Sequence, residues 1–121
     1  MSAAKEFAFH PNGKTVLLAS STSAPVGIQA PKDDAAGENS HADCYMFYNA
    51  GTEVSHIGYG SSSTGAQSNA VIPTGTGANS TKSFPVPAGA VIVMRFGLNT
   101  FFSGINATAA GSVFITPGEG L

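Results

Sequence analysis

The chain has 121 residues and a mass of 12.1 kDa, a length for one domain whose single core buries roughly two-thirds of the unfolded surface without metal or disulfide. Apolar residues make up 42% of it but charged ones only 10%, where an ordinary soluble domain carries about 25%. The net charge is −2, and the five cations Lys5, Lys14, Lys32, Lys82 and Arg95 are scattered. That excludes the clustered basic footprint of nucleic-acid binding.

The first residues lack a basic segment followed by an apolar run, so no signal peptide is expected. No apolar run approaches the ~20 residues of a membrane helix. Cys44 is the only cysteine, which removes any intrachain disulfide and leans toward a reducing compartment. The expectation is a soluble protein made in a cytoplasm, with no membrane partner.

In chain order, Phe7 and Phe9 alternate with polar or small residues ahead of the turn His10-Pro-Asn-Gly. Residues 1–13 therefore read as an extended arm, poorly placed to fill its own core and suited to docking on a neighbouring subunit. Residues 14–19 form the first strand, 20–25 a polar break and 26–30 a second short strand closed by Pro31. The charge-rich stretch 31–43 reads as an exposed loop. Residues 44–49 and 54–59 flank Ala50-Gly-Thr-Glu and predict a hairpin with a four-residue loop. Residues 60–83 are rich in Gly, Ser and Thr and predict loop, with one weak strand ending near Ile72.

The last third holds three runs rich in Val, Ile and Phe, bounded by Gly, Pro, Asn or Ser, the pattern of consecutive strands with tight connections. The densest is 91–96. Val91, Val93 and Arg95 project from one face of such a strand and Ile92, Met94 and Phe96 from the other. A strand with one wet face should alternate with polar residues, and this one hardly does. Its second face is therefore expected to be covered, by a partner or by the loops 31–43 and 60–83. No helical period of useful length appears. The fold class is all-β: one antiparallel β-sandwich spanning 1–121, jelly-roll-like, with eight or nine short strands.

The residues offer little chemistry. His41-Ala-Asp-Cys44 brings imidazole, carboxylate and thiol together but supplies too few ligands for a metal. A loop end running into a buried thiol is the plainer reading. His10 and His56 form no paired set with it. Gly60-Ser-Ser-Ser-Thr-Gly65 has the glycine spacing of a phosphate loop without the Lys that follows one, and Gly75-Thr-Gly77 lacks the third glycine of a dinucleotide site. Asp33, Asp34 and Glu38 do not have EF-hand spacing. Asn79-Ser-Thr81 and Asn106-Ala-Thr108 match the glycosylation pattern, which has no force without secretion. No catalytic residue, cofactor or metal site is expected, and the chain does not read as an enzyme.

From Cys44-Tyr-Met-Phe-Tyr-Asn-Ala-Gly onward the texture resembles a known group. Val86-Pro-Ala-Gly ahead of an apolar strand, Asn99-Thr-Phe-Phe-Ser-Gly-Ile, and the ending Val113-Phe-Ile-Thr-Pro-Gly-Glu-Gly-Leu121 carry the likeness. It resembles small β-sandwich decoration, or cement, proteins on the capsids of tailed bacteriophages. The resemblance implies a structural role on the virion exterior, with the major capsid protein and further copies of itself, as dimer or trimer, for partners. It carries over no active residues. The interface candidates from the strand pattern are Phe7, Phe9, Val93, Arg95, Phe101 and Phe102. An alternative is a jelly-roll binding module of a phage tail that recognises a sugar or receptor. Trp is absent, and Tyr45, Tyr48 and Tyr59 fall within strands, which counts against a sugar platform.

Overall fold

A computed structural model describes residues 9–11, 13–30, 44–77, 81–97 and 100–119, the last without its side chain. Phe7, the charged loop 31–43 and the acidic residues within it lie outside the described residues.

The chain is an antiparallel β-sandwich. Its large sheet contains β1 (His10–Pro11), β2 (Val16–Ser20), β3 (Cys44–Asn49), β6 (Val91–Arg95) and β8 (Gly111–Glu119). The small sheet contains β4 (Ser55–Gly60), β5 (Ser83–Val86) and β7 (Phe101–Asn106). In the large sheet β8 lies between β3 and the β1–β2 side, and β6 lies on the far side of β3. The small sheet runs β5-β4-β7, and Ile28 adds a single antiparallel bridge to Phe102 on the outer edge of β7. Leaving aside the two-residue β1 and counting Ile28 as the strand between β2 and β3 gives eight strands in two sheets. Their order is that of a jelly roll.

The expected hairpin at 44–59 does not form: β3 and β4 belong to different sheets. Asn49 explains the crossing. Its side-chain amide donates to Glu53 O at 2.9 Å and to Val86 O at 2.8 Å, while its Oδ1 accepts from Gly51 N at 2.8 Å. These bonds carry the chain from one sheet to the other instead of folding it back in plane. The connection from β5 to β6 crosses too. It turns at Val86-Pro-Ala-Gly, with Ala90 N–H donating to Pro87 O at 3.0 Å and Gly89 at φ 76°, a conformation that favours glycine.

Alternation within strands sends Leu18, Tyr45, Phe47, Val113 and Ile115 inward from the large sheet, and Ile57, Val86 and Phe102 from the small one. One end of this core is aromatic. Phe47 meets Phe84, Phe96 and Phe102 edge-on with centroids 5.2 to 6.1 Å apart, and Phe96 meets Phe102 at 5.0 Å. The other end is polar and fully bonded. Asn106 Oδ1 accepts from Ser20 Oγ at 2.7 Å and Ser55 Oγ at 2.6 Å, and its Nδ2 donates to Ala109 O.

Residues 60–83, expected to be loop and weak strand, contain a short helix instead, α1 (Ser63–Asn69). Ser62 caps it by accepting from Gly65 N at 3.0 Å. The stretch shows no apolar period because the side chains α1 and its C-cap bury are alanines, Ala66 and Ala70. The helix is seated on the small sheet by absence of bulk: a Cβ on Gly58 would stand 2.6 Å from Ala70 Cα. The expected strand 26–30 is reduced to the bridge at Ile28.

Candidate functional site

The two sheets differ in what lies on their outer faces. On the small sheet, α1 packs against β4 and β7, and the segment before Ile28 is fastened by Ser103 Oγ donating to Pro25 O at 2.6 Å. On the large sheet the Phe9 ring lies over one end of the corresponding face, where Cys44, Thr116 and Gly118 are buried, and the described residues place no element over the other end. There the register lines up Leu17 with Phe114, Phe114 with Tyr48, and Tyr48 with Val91. These four side chains form one row across β2, β8, β3 and β6. All four are exposed, from 37% for Phe114 to 55% for Val91, in positions where a solvated sheet would carry polar residues. The rings of Tyr48 and Phe114 stack, with centroids 6.2 Å apart and planes at 16°.

The next row is Thr116, Met46 and Val93. Thr116 Oγ1 is tied to Thr15 Oγ1 at 2.7 Å, so the one polar member on this row is satisfied internally. The third row is Gly118, Cys44 and Arg95. A Cβ on Gly118 would collide with the Phe9 ring, so this ring closes over the sheet where β1 joins β8. The third row thus carries one exposed charge, Arg95, beside the buried Cys44 and Gly118.

Of the interface candidates, the structure brings Val93 and Arg95 together on this face, Val93 half-buried and Arg95 exposed. Phe102 is a correction. It is fully buried between the sheets, against Tyr45, Phe47 and Phe96, and has no surface to offer a partner. Phe101 is half-buried on the opposite face of β7, in the small sheet, away from the row. Phe9 lies on Gly118 of its own chain, so its ring already has an intramolecular seat. Leu17, Tyr48 and Phe114 were not singled out from the sequence. Their signal was present as apolar residues on three further strands, β2, β3 and β8, but only the register shows that they meet.

Titratable groups are sparse. His56 lies on the outward side of β4; its Nδ1 is buried without a hydrogen-bond partner, and burial lowers its pKa from 6.5. Glu53 holds the loop after β7: Oε2 accepts from Thr108 Oγ1 at 2.6 Å and Oε1 from Thr108 N at 2.9 Å. Those bonds, the hydroxyl one foremost, hold its carboxyl below the ordinary value. Among the described residues no three His, Cys, Asp or Glu side chains gather as metal ligands, and no helix is long and apolar enough to cross a membrane. Comparison with protein families, curated proteins and solved structures finds no match to this chain.

Proposed function

We propose that this chain is a structural assembly protein, a decoration protein of a bacteriophage capsid, and that it docks on capsid subunits through the outer face of the large sheet. The observation that carries the reading is the apolar row Leu17–Phe114–Tyr48–Val91 on an otherwise regular, well-packed sandwich. An exposed apolar row on a rigid sheet costs solvation free energy in the isolated molecule and is a common mark of an interface. The low charge of the chain lowers the desolvation cost of packing against protein. Each docked copy would span neighbouring major-capsid subunits, and many weak contacts on a repeating lattice add up to firm attachment.

The test uses capsids of the encoding phage prepared without this protein. Purified chain should bind them saturably and at a fixed ratio to the capsid subunit. Leu17→Lys and Phe114→Lys should each weaken that binding at least roughly tenfold, the effect of losing about 1.4 kcal/mol of contact, with little change in melting temperature. Undiminished binding by both variants would sink the reading.

The stacked pair Tyr48 and Phe114 favours a second reading, a sugar-binding face. Its immediate neighbours in the row, Leu17 and Val91, bring no hydrogen-bonding side chain to orient a sugar. A glycan-array signal abolished by Tyr48→Ala would select this reading over capsid docking.

A further inference from the structure

We propose that β6 pairs with β6 of a second copy, joining two large sheets edge to edge across a two-fold axis at Val93. The proposal rests on the docking reading only for what the enlarged face is for; the pairing itself can be tested without capsids.

The ladder shows which backbone groups are available. Asn49 N–H donates to Ala90 O at 3.1 Å, which makes Tyr48 and Val91 a non-hydrogen-bonded pair and turns Ile92 and Met94 toward β3. The N–H and C=O groups of Val91 and Val93 therefore point out of the sheet. Among the described residues no strand takes them up. The edges of the small sheet are handled differently. β5 carries Pro85 in mid-strand, and β7 is closed by Ile28, which exchanges two 2.8 Å bonds with Phe102, and by Ser21. Proline and covering segments are the usual means of keeping a strand edge from pairing. β6, with the sequence Val-Ile-Val-Met-Arg, has no proline and keeps its single charge at one end.

A second copy suits this edge better than an unlike strand does. The two-fold sets Val93 against Val93 on the outer face and Ile92 of each copy against Met94 of the other on the inner face. Both faces of the large sheet then continue across the junction with apolar contacts. The two Arg95 residues end up four positions apart along the strands, about 13 Å, which exceeds the ~8 Å screening length at physiological salt. The strand's one charge thus does not oppose its own copy.

Area gives the pairing a purpose. The four side chains of the exposed row present on the order of 350 Å² in one copy, a typical size for a functional patch but under half of the roughly 800 Å² per partner in a stable interface. Two copies joined through β6 present a single face of about twice that size, close to the area a firm dock needs.

Light scattering or sedimentation from micromolar to millimolar concentration should show the mass rise from 12.1 kDa to twice that value and stop. In the same range the Val91 and Val93 amides should exchange with solvent roughly tenfold more slowly at high concentration than at low, while Ile92 and Met94 stay protected throughout. Val93→Pro removes one outward N–H and should hold the mass at that of one copy at every concentration. The exchange measurement on the unaltered chain decides the matter even if that variant does not fold. A mass that never rises overturns the proposal, as does a dimer whose Val91 and Val93 amides exchange freely. Protection that persists on dilution would mean the edge is covered from within the chain, and growth beyond two copies would mean pairing with a different edge; either overturns it. A chain that dimerises through β6 yet never binds capsids overturns the docking reading alone.

Discussion

At the scale of single residues, the polar end of the core is the most sensitive point. Asn106 accepts two serine hydroxyls that have no access to water, since Ser20 and Ser55 are fully buried. Asn106→Ala should therefore destabilise the fold by about 2–4 kcal/mol in urea unfolding, because it strands two buried donors and opens a small cavity. The cost should shrink when Ser20→Ala and Ser55→Ala are added, since no donor is then left unpaired. His56 gives a pH signature. Its lowered pKa means the folded state holds the proton less tightly than the unfolded state does. Stability present above the ordinary value of 6.5 is lost as pH falls below it. The melting temperature should drop on acidification through that range, and His56→Gln should flatten the drop. Cys44, fully buried as the sequence led one to expect, should react with thiol reagents only on unfolding. The asparagines were not legible in advance. In sequence Asn49 and Asn106 look like ordinary residues at strand ends, and only the crossing of the chain between sheets brings Val86 O and two distant serines within their reach.

Among the elements, the helix is the instructive miss. A search for helical periodicity looks for large apolar residues, whereas α1 binds through Ala66, its C-cap Ala70 and the bare backbone of Gly58. Close approach replaces side-chain bulk as the source of contact. Gly58→Ala should consequently cost upward of about 2 kcal/mol, since the new methyl meets backbone atoms that cannot swing aside. Gly97→Ala, where a Cβ meets nothing within 4 Å, should be close to neutral; thermal melts of the two variants compare them directly. The strands themselves were legible, because β-branched and aromatic runs bounded by Gly, Pro and Asn need only local pattern to be recognised. The partners of each strand were not. Five residues between β3 and β4 suit a hairpin and a crossing equally well, and the choice is made by Asn49.

For the whole molecule, the two-faced apolarity of residues 91–96 was the part of the candidate site that could be read from the chain, and it pointed to the outward surface the register now gathers into a row. What the strand pattern could not supply was that Leu17, Tyr48 and Phe114 stand beside Val91, because neighbours across a sheet lie up to a hundred residues apart in sequence. A Leu17→Lys, Phe114→Lys double variant should melt within about 1 kcal/mol of the parent, since these side chains are already exposed, and should be more soluble at high concentration. The placement of β8 has a further consequence, for synthesis. The last strand in chain order sits in the interior of the large sheet, bonded to β2 on one side and β3 on the other. A growing chain therefore has no large sheet to complete until residues 111–119 have left the ribosome, and its first strands must wait unpaired. Nascent chains arrested at residue 110 should be digested by protease at the rate of an unfolded polypeptide, and those released at full length should acquire resistance in one step, on the milliseconds-to-seconds timescale of distant strand pairing.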